Sequence, residues 1–361
     1  MEAGMAKLNR VQDVCTIGID LGDRSSEICV LDRVSGEVME RGQIVTTPMS
    51  LRKRFAGLAP TTIVIEVGTH SPWVSRLLQE CGHRVLVANA GKIRLIYQNQ
   101  KKTDRTDAEW LARLGRLDER LLSPMQHRSE PTQADLAMLR SRAALVAART
   151  GLVNHVRGAV KALGARLTKC STSSFHRRAA TGIPDVLRPA LEPVLTMIEA
   201  LTYQIAQMER ALEQLAAHKY PHIKLVTQVS GMGTLTGLCF VLTIEDPHRF
   251  HRNRSIGPYI GLVPRRDQSG DSDPQLGITG AGDTQLRSLL VQSAHYILGP
   301  FGPDSDLRRW GLALTRRGGK NTKRRAVVAV ARRLAVLCLS LWKSAQVYEP
   351  LRETRLAGVT E

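Results

Sequence analysis

The stretch CTIGIDLGDRSSEICVLD, residues 15–32, decides how the first part of the chain folds. Ile and Val alternate with small and polar residues on either side of Gly22, a pattern that predicts two strands joined by a turn. Two shorter hydrophobic runs, TTIVIEVG (61–68) and HRVLVANA (83–90), predict further strands, and SPWVSRLLQECG (71–82) predicts a helix between them. Strands that alternate with helices are typical of an α/β domain with a partly parallel sheet.

The composition limits the classes of function. The 361 residues include 51 Lys and Arg against 33 Asp and Glu, a net charge of +18, and 43% of them are hydrophobic. A folded and strongly basic chain favours a polyanionic partner, most commonly nucleic acid, although a merely solvated basic surface is the alternative. The six scattered Cys predict neither a disulfide framework nor a zinc site. We find no signal peptide and no membrane-spanning run, and therefore expect a cytoplasmic protein.

The middle of the chain carries two heptad patterns. Apolar residues that recur every seven positions are typical of a coiled coil, and we expect them to mediate self-association. An intramolecular helical hairpin is the alternative, because the flanking heptad positions are mostly uncharged. The first pattern consists of Leu139, Val146, Val153, Val160 and Leu167, and the second of Leu191, Ile198, Ile205 and Leu212, followed at three-residue offset by Val194, Leu201, Met208 and Leu215.

The last segment, from about residue 223, contains a glycine-rich turn and a basic run. Gly231 and Gly233 predict a helix-hairpin-helix-like turn whose backbone N–H groups approach a phosphate. A dinucleotide-binding glycine loop fits less well, because no acidic residue ends a suitable strand nearby. No acidic residue lies between Leu307 and Arg333, which favours phosphate contacts over a solvated face. The residues that we expect to contact nucleic acid are Lys101, Lys102, Arg105, Arg265, Arg266, Arg316, Arg317, Lys320, Lys323, Arg324 and Arg325.

Four carboxylates form a candidate metal site. Asp20 and Glu66 end two hydrophobic strands, and Asp104 and Asp107 lie three residues apart, on one face of a helix. Such groups repel one another unless a cation lies between them, and Mg²⁺ suits carboxylate oxygens while keeping positions open for phosphate. Two such ions about 4 Å apart form the usual clamp for phosphodiester cleavage. The structural alternative is that Asp20 caps a turn, Asp104 caps the helix and Asp107 is a first-turn acid.

The loop GLVPRRDQSGDSD (261–273) offers a candidate nucleophile, Ser269. Gly270 has no Cβ and would let a polymer backbone approach, and Arg265 and Arg266 could hold a phosphate beside the hydroxyl. A Ser hydroxyl is a weak nucleophile unless something activates it, so a plain turn residue is the alternative.

The order of these motifs resembles the IS-one-ten (IS110) family of bacterial insertion-sequence transposases. The resemblance covers nearly the whole chain and rests on GIDLGDRSSEICVLD, IVIEVGTHSPWVSRLLQECGHRVLVANA, KKTDRTDAEWLARL, LVTQVSGMGTLTG, YIGLVPRRDQSG, GITGAGDTQLRSLLVQSA and AVVAVARRLA. It implies an α/β ribonuclease H-like (RuvC-like) domain at 1–125 and a helical coiled-coil region at 126–222. A mainly α C-terminal transposase domain, with the helix-hairpin-helix-like element, is implied at 223–361.

The resemblance also implies a mechanism. Asp20, Glu66, Asp104 and Asp107 match the family's DEDD quartet, which binds Mg²⁺, and Ser269 matches its catalytic serine. In the family, the serine attacks a DNA phosphodiester and forms a covalent phosphoserine link. The transposases are understood to be guided by a structured, element-encoded RNA that pairs with donor and target DNA. They act as dimers or tetramers in the bacterial cytoplasm, associated with the nucleoid.

Two stretches depart from the family pattern. The chain has SGDSDPQ (269–275) where the family often has SGGK, and Gly280 and Ala281 where it often has a basic residue. A subgroup difference and lost activity in a decayed copy both account for these departures. Two other functions stay open: a RuvC-like nuclease that resolves branched DNA without serine chemistry, and a nucleic-acid-binding protein without catalysis.

Overall fold

The computed structural model describes residues 15–89 and 104–352, apart from positions 271, 273, 275, 317 and 320. Contacts divide the chain into two compact units, Met1–Arg128 and Ser129–Glu361. Within the described ranges, no helix is both long enough and apolar enough to cross a membrane. The division into three domains that the sequence suggests remains a prediction.

The first unit contains a five-stranded mixed sheet. Its strands are β1 (Cys15–Asp20), β2 (Ser25–Asp32), β3 (Val38–Val45), β4 (Thr62–Glu66) and β5 (Arg84–Ala88). They lie in the order β3-β2-β1-β4-β5. The pairs β1–β2 and β2–β3 are antiparallel, whereas β1–β4 and β4–β5 are parallel. This arrangement agrees with the predicted α/β domain and its partly parallel sheet, and the RuvC-like fold remains a prediction.

Helices cover both faces of this sheet. Helices α1 (Pro48–Phe55) and α2 (Ser71–Glu80) pack on one face, where Ile19, Phe55 and Leu78 are fully buried. Helix α3 (Asp104–Leu117) packs on the other face. Successive residues of each strand point to opposite faces of the sheet, so each strand contributes side chains to both hydrophobic layers.

Strand β3 was not predicted from the sequence, and its position explains why. It forms an edge of the sheet, and five of its eight residues are exposed. An edge strand with one poorly covered face keeps little of the hydrophobic alternation that identifies a buried strand. The buried strands β1 and β4 show that signal clearly.

A glycine in β1 sets how closely α3 approaches the sheet. A Cβ on Gly18 would come 2.0 Å from the carbonyl oxygen of Ala108 and 2.6 Å from the amide nitrogen of Ala112. Both are backbone atoms, so they cannot rotate away. Farther along the helix, a Cβ on Gly115 would come 2.4 Å from Cγ2 of Val64. Helix α3 therefore packs closely against β1 and β4, because Gly18 and Gly115 have no side chains.

The second unit begins with two long helices that pack as an antiparallel hairpin. Helix α4 (Glu130–Ala162) is followed by the short helix α5 (Phe175–Ala180) and by α6 (Arg188–Lys219). Asp135 near the start of α4 accepts a hydrogen bond from Lys219 at the end of α6, with Nζ and Oδ2 2.5 Å apart. The intramolecular hairpin that the heptads allowed is therefore present.

The heptad residues divide into two groups in this hairpin. Leu191, Ile198, Ile205 and Leu212 are buried within the unit, whereas Val194, Leu201, Met208 and Leu215 keep partial exposure. The prediction that Leu167 continues the first pattern on the helix is wrong, because α4 ends at Ala162 and Gly164 follows with φ of 80°. Self-association through the heptads remains a prediction.

The rest of the second unit shares one hydrophobic core. All residues of the central helix from Thr236 to Ile244 are buried, and the long C-terminal helix packs across it with Val330, Leu334 and Cys338 fully buried. Burial raises the pKa of the Cys338 thiol far above its usual range. The helices are α7 (Ile223–Thr227), α8 (Thr234–Ile244), α9 (Ile256–Tyr259), α10 (Thr284–Leu298), α11 (Asp306–Thr315) and α12 (Thr322–Ser344).

Short 3-10 turns connect several of these elements. They span Glu119–Leu122, Thr172–Ser174, Asp185–Leu187, Pro247–Arg249 and Asn253–Ser255.

Candidate functional site

Two of the four predicted metal-binding carboxylates end neighbouring parallel strands. Asp20 is the last residue of β1, and Glu66 is the last residue of β4. The register pairs Ile19 with Ile65, so the two acids occupy the next matching positions at the carboxyl edge of the sheet. Because Ile19 and Ile65 enter the layer under α1 and α2, Asp20 and Glu66 project to the α3 side.

Helix α3 brings the first-turn acids toward the same edge. Ala108 lies over Gly18, whereas Gly115 lies near Val64 and Thr16, so the helix runs antiparallel to β1. Its N-terminal turn, with Asp104 and Asp107, therefore lies toward the strand ends that carry Asp20 and Glu66. Asp107 is only 5% exposed. It precedes Leu111 and Leu114 on one helical stripe, and these leucines pack with Val64 of β4.

A further carboxylate at this edge was missed by the sequence analysis. Glu27 of β2 pairs directly with Asp20 in the antiparallel register, so its side chain projects to the same face. Its Oε1 accepts a hydrogen bond from Gln43 at 3.0 Å, and its Oε2 lies 3.8 Å from Nε of Arg105. We predicted that Arg105 contacts phosphate. Its side chain is 77% exposed, and the carboxylate of Glu27 lies beside it. Only the strand register reveals this neighbour.

A histidine links the two loops that follow the strand-end acids. His70 Nε2 donates to Asp23 Oδ1 at 3.2 Å, and His70 Nδ1 accepts from Nε1 of Trp73 at 3.1 Å. Asp23 lies three residues after Asp20, and His70 lies four residues after Glu66. These hydrogen bonds connect the β1–β2 loop with the start of α2, beside the carboxylate edge. The sequence offers no spacing signal for this contact.

Several predicted residues lie outside the described part of the chain. They are the side chain of Asp104 and the whole of Lys101, Lys102, Arg317 and Lys320. Across the residues that are described, no three His, Cys, Asp or Glu form a group that could hold a metal ion. Asp20, Glu66 and Asp107 are among these described residues and do not form such a group by themselves, and the complete quartet with Asp104 remains a prediction.

The donor set at the carboxylate edge fits a hard divalent cation. Asp20, Glu66 and Asp107 offer only carboxylate oxygens, the ligands that Mg²⁺ prefers. The nearby Cys29 lies under α3, and its buried position, followed by the charge of Glu109, raises the pKa of its thiol.

The predicted nucleophile lies at the tip of a tight turn in the second unit. Ser269 is exposed, and its backbone exchanges hydrogen bonds with Ser272, at 3.1 Å from Ser269 N and 3.0 Å from Ser272 N. Gly270 has φ of 55°, and an added Cβ there would meet no atom within 4 Å. The glycine is therefore required by the turn, and the space around it is open. Arg265 and Arg266 are also exposed on this loop.

The base of the serine loop is held more firmly than its tip. A Cβ on Gly261 would come 2.3 Å from the carbonyl oxygen of Ala281, and one on Gly282 would come 2.1 Å from that of Tyr259. Arg287, at the first turn of α10, donates to the carbonyl oxygens of Ile260 at 3.1 Å and Ala281 at 2.8 Å. The loop thus projects from a closely packed base, and Arg287 is a supporting residue that the sequence analysis missed.

The glycine-rich turn joins α7 to α8. Gly231 has φ of 94°, and an added Cβ would come 3.1 Å from the carbonyl oxygen of Ser293. Gly233 is extended at the start of α8, and both Gly233 and Thr234 are exposed. A cavity of about 430 Å³ lies beside this turn, lined on its other side by Ser293 and Tyr296 among others. The N-terminus of α8 is therefore exposed, and the helix-hairpin-helix-like turn remains a prediction.

The predicted basic run lies around the start of α12. Lys323, Arg324 and Arg325 occupy its first turn and are exposed, and Arg316 is exposed at the end of α11. Cations at a helix N-terminus are placed where the helix dipole is already positive. This region therefore has a locally high positive potential, which favours an anionic partner.

Comparisons with known proteins agree with this geometry. A model described as Transposase, of the DEDD type in the IS110 group, matches residues 17–164, and one described as Transposase IS116/IS110/IS902 family matches residues 223–305. The first range contains the carboxylate edge, and the second contains the glycine-rich turn and the serine loop.

Curated relatives match along most of their length. The transposase for insertion sequence element IS1111A of Coxiella burnetii is 26% identical over 94% of this chain and 92% of its own length. The transposase for IS1328 of Yersinia enterocolitica is 28% identical over 78% of this chain and 83% of its own. A pilin gene-inverting protein of Moraxella bovis is 24% identical over 71% of each chain. The chain belongs to the IS110 family of insertion-sequence transposases.

Proposed function

We propose that this transposase cleaves and rejoins DNA with two groups of residues, the carboxylates Asp20, Glu66, Asp104 and Asp107 and the nucleophile Ser269. The observation that best supports this proposal is the carboxylate edge. Asp20 and Glu66 end adjacent parallel strands, and the first turn of α3 lies toward the same ends.

The carboxylates are proposed to hold Mg²⁺. When bound, the ion would neutralise charge on a phosphodiester and on the oxygen that leaves it. The chain's own contribution is to fix the donors: β1 and β4 hold Asp20 and Glu66 in register, and the contact of α3 with Gly18 fixes Asp107. Holding ligands on rigid elements removes the cost of ordering them when the substrate binds.

Ser269 is proposed to attack the DNA backbone. Its Oγ forms a bond to phosphorus and loses its proton, while the bond from phosphorus to one deoxyribose oxygen breaks and that oxygen leaves as a hydroxyl. The product is a phosphoserine ester with the DNA strand. Attack by the hydroxyl of a different strand reverses the step, frees Ser269 and completes strand exchange. The exposed tip of the loop and the adjacent Arg265 and Arg266 support this assignment.

The substrates and partners are also proposed. Donor and target DNA are the substrates, an element-encoded RNA pairs with both, and two or four copies of the chain assemble for strand exchange. The family assignment supports this reading, and the name of the Moraxella relative describes inversion of a gene. The net charge of +18 and the exposed cations at residues 323–325 supply phosphate contacts for either nucleic acid.

The proposal is tested by an assay with purified protein. The reaction contains a plasmid with the element's ends, a target plasmid, Mg²⁺ and a transcript of the DNA that flanks the reading frame. Recombinant junctions should form, and they should be absent when EDTA replaces Mg²⁺ or when the transcript is omitted. Junctions that form without the transcript would refute RNA guidance, and junctions that form in EDTA would refute the metal requirement. Cleavage of branched DNA without junctions would instead favour a nuclease.

A further inference from the structure

We propose that the end of the α4–α6 hairpin farthest from Asp135 binds the phosphate backbone of duplex DNA. This hairpin tip consists of residues 153–198, which include the last turns of α4, helix α5 and the first turns of α6. The inference rests on the proposed function only for the choice of DNA as the ligand. The surface itself is defined by the charges and packing of the hairpin.

The charge balance of this region is one-sided. Residues 136–184 contain nine Lys and Arg and no Asp or Glu. Three of these cations lie closer to the hairpin base and are bonded within the unit: Arg140 to Asp283, Arg142 to Glu209 and Arg149 to Thr202. The other six are Arg157, Lys161, Arg166, Lys169, Arg177 and Arg178.

Five of these six cations are exposed, and none of the five forms an ion pair with an acidic residue in the described part of the chain. Lys161, Arg166, Lys169, Arg177 and Arg178 all lie on the surface. Two acidic residues lie within the tip: Asp185 pairs with Arg188 at 2.8 Å, and Glu192 is exposed. Glu199, just beyond the tip, lies 3.6 Å from His176. Residues 153–198 therefore contain seven Lys and Arg against two Asp and Glu, and the tip is strongly positive.

Packing brings these charges from three segments into one small lobe. Val156 and Val160 of α4 share a hydrophobic cluster with Phe175 and Ala179 of α5. The guanidinium of Arg157 lies 5.2 Å from the centre of the Phe175 ring. Because Phe175 is fully buried, α5 is fixed against α4, and Arg177 and Arg178 project outward beside the end of α4. The connecting loop adds Arg166 and Lys169.

The chemistry of the lobe favours a duplex over a single strand. Its one Phe, Tyr or Trp side chain, Phe175, is buried, whereas proteins that bind single strands use exposed aromatic rings to stack on bases. Exposed hydroxyls accompany the cations, including Thr168, Ser171 and Ser173. Lys, Arg and hydroxyl groups without base-stacking rings are typical of contacts to the phosphates of a double helix. For a transposase, that double helix is DNA.

The test measures equilibrium binding of the full-length protein to a fluorescent 30-base-pair DNA of unrelated sequence, over a series of salt concentrations. The tip variant carries Lys161→Gln, Arg166→Gln, Lys169→Gln, Arg177→Gln and Arg178→Gln. A matched variant neutralises five exposed cations elsewhere: Lys53→Gln, Arg210→Gln, Lys224→Gln, Arg252→Gln and Arg254→Gln. Circular dichroism confirms that each variant is folded before binding is measured.

We expect the tip variant to bind at least about tenfold more weakly, with a salt slope that falls by about 3 to 5, since each phosphate contact contributes about 0.9 to the slope. The matched variant should lose less than about threefold. Equal losses in both variants would overturn the proposal. So would a tip variant that keeps DNA binding but loses binding to an RNA duplex of the same length, because the surface would then be an RNA site.

This outcome is separable from the proposed function. Equilibrium binding requires neither Ser269 nor the carboxylates, so a protein that fails to recombine DNA can still confirm the hairpin tip. Conversely, a tip that contributes nothing leaves the adduct and junction assays unchanged.

Discussion

The carboxylate edge and the serine loop are built in opposite ways. At the carboxylate edge, strands β1 and β4 and helix α3 place Asp20, Glu66 and Asp107, and Asp107 is only 5% exposed. At the serine loop, one local turn between Ser269 and Ser272 places the hydroxyl, and Ser269 is exposed. One region depends on long-range packing, and the other depends on turn geometry above a packed base.

This difference matches the two proposed tasks. Ligands of a metal ion must keep fixed distances, and elements of secondary structure hold side chains more precisely than loops do. A nucleophile that attacks a bulky polymer must project far enough to reach it, and a hairpin tip provides that access. The comparison predicts that substitutions at the edge act through the carboxylate charges and the packing that positions them, whereas substitutions in the loop act through the single hydroxyl and its support.

The largest effect is expected for a carboxylate at the edge. Asp107→Asn keeps the shape of the side chain but removes its charge, and strand cleavage should fall at least about a hundredfold, as for other groups that stabilise a transition-state charge. The matched control is Glu109→Gln on the same helix, since Glu109 pairs with Arg41 at 2.5 Å and with Arg113 at 2.7 Å. This control should keep near-normal cleavage. A similar loss of cleavage in both variants would show that any charge change on α3 is harmful, and it would contradict a specific role for Asp107.

The next effect concerns the contact that positions α3. Gly18→Ala places a methyl group 2.0 Å from the carbonyl oxygen of Ala108, so the helix must shift, and the first unit should lose about 1–3 kcal/mol. Hydrogen exchange of peptides that cover 108–117 measures this loss directly. Gly57→Ala, where no atom lies within 4 Å, should change the same exchange rates little. Unaltered protection in Gly18→Ala would contradict the close approach of α3 to β1.

A smaller effect is expected at the base of the serine loop. Arg287→Gln removes the donor shared by the carbonyl oxygens of Ile260 and Ala281, which costs about 1–3 kcal/mol when acceptors lose their partner. Cleavage should fall about tenfold as the loop loosens, while DNA affinity stays near that of the wild type. Arg254→Gln, an exposed residue near the same core, is the control. Loss of DNA affinity instead of cleavage would make Arg287 a binding residue.

Much of the carboxylate edge could be predicted from the sequence because its signals are local. A hydrophobic strand that ends in an acid, as at Asp20 and Glu66, and two acids at three-residue spacing are visible without a structure. The approach of α3 depends on Gly18, whose importance appears only when Ala108 is placed over it. Glu27 is invisible for the same reason, since only the register of β2 sets it opposite Asp20.

The heptads show a different limit of prediction from the sequence. A row such as Leu191, Ile198, Ile205 and Leu212 shows that a helix has an apolar stripe, but it does not specify which helix covers the stripe. In this chain α4 covers it. The partners of the serine loop are equally hard to predict. The sequence indicates a turn near Gly270 but contains no signal for the Arg287 contacts at the base of the loop.

The central claim is that Ser269 forms a covalent bond with DNA, and one measurement tests it directly. Wild-type protein and Ser269→Ala are incubated with radiolabelled element ends, Mg²⁺ and the flanking transcript, and are then separated on a denaturing gel. Label should migrate with the wild-type protein and be absent from Ser269→Ala, which should still bind the DNA. An adduct that persists in Ser269→Ala would contradict the serine assignment.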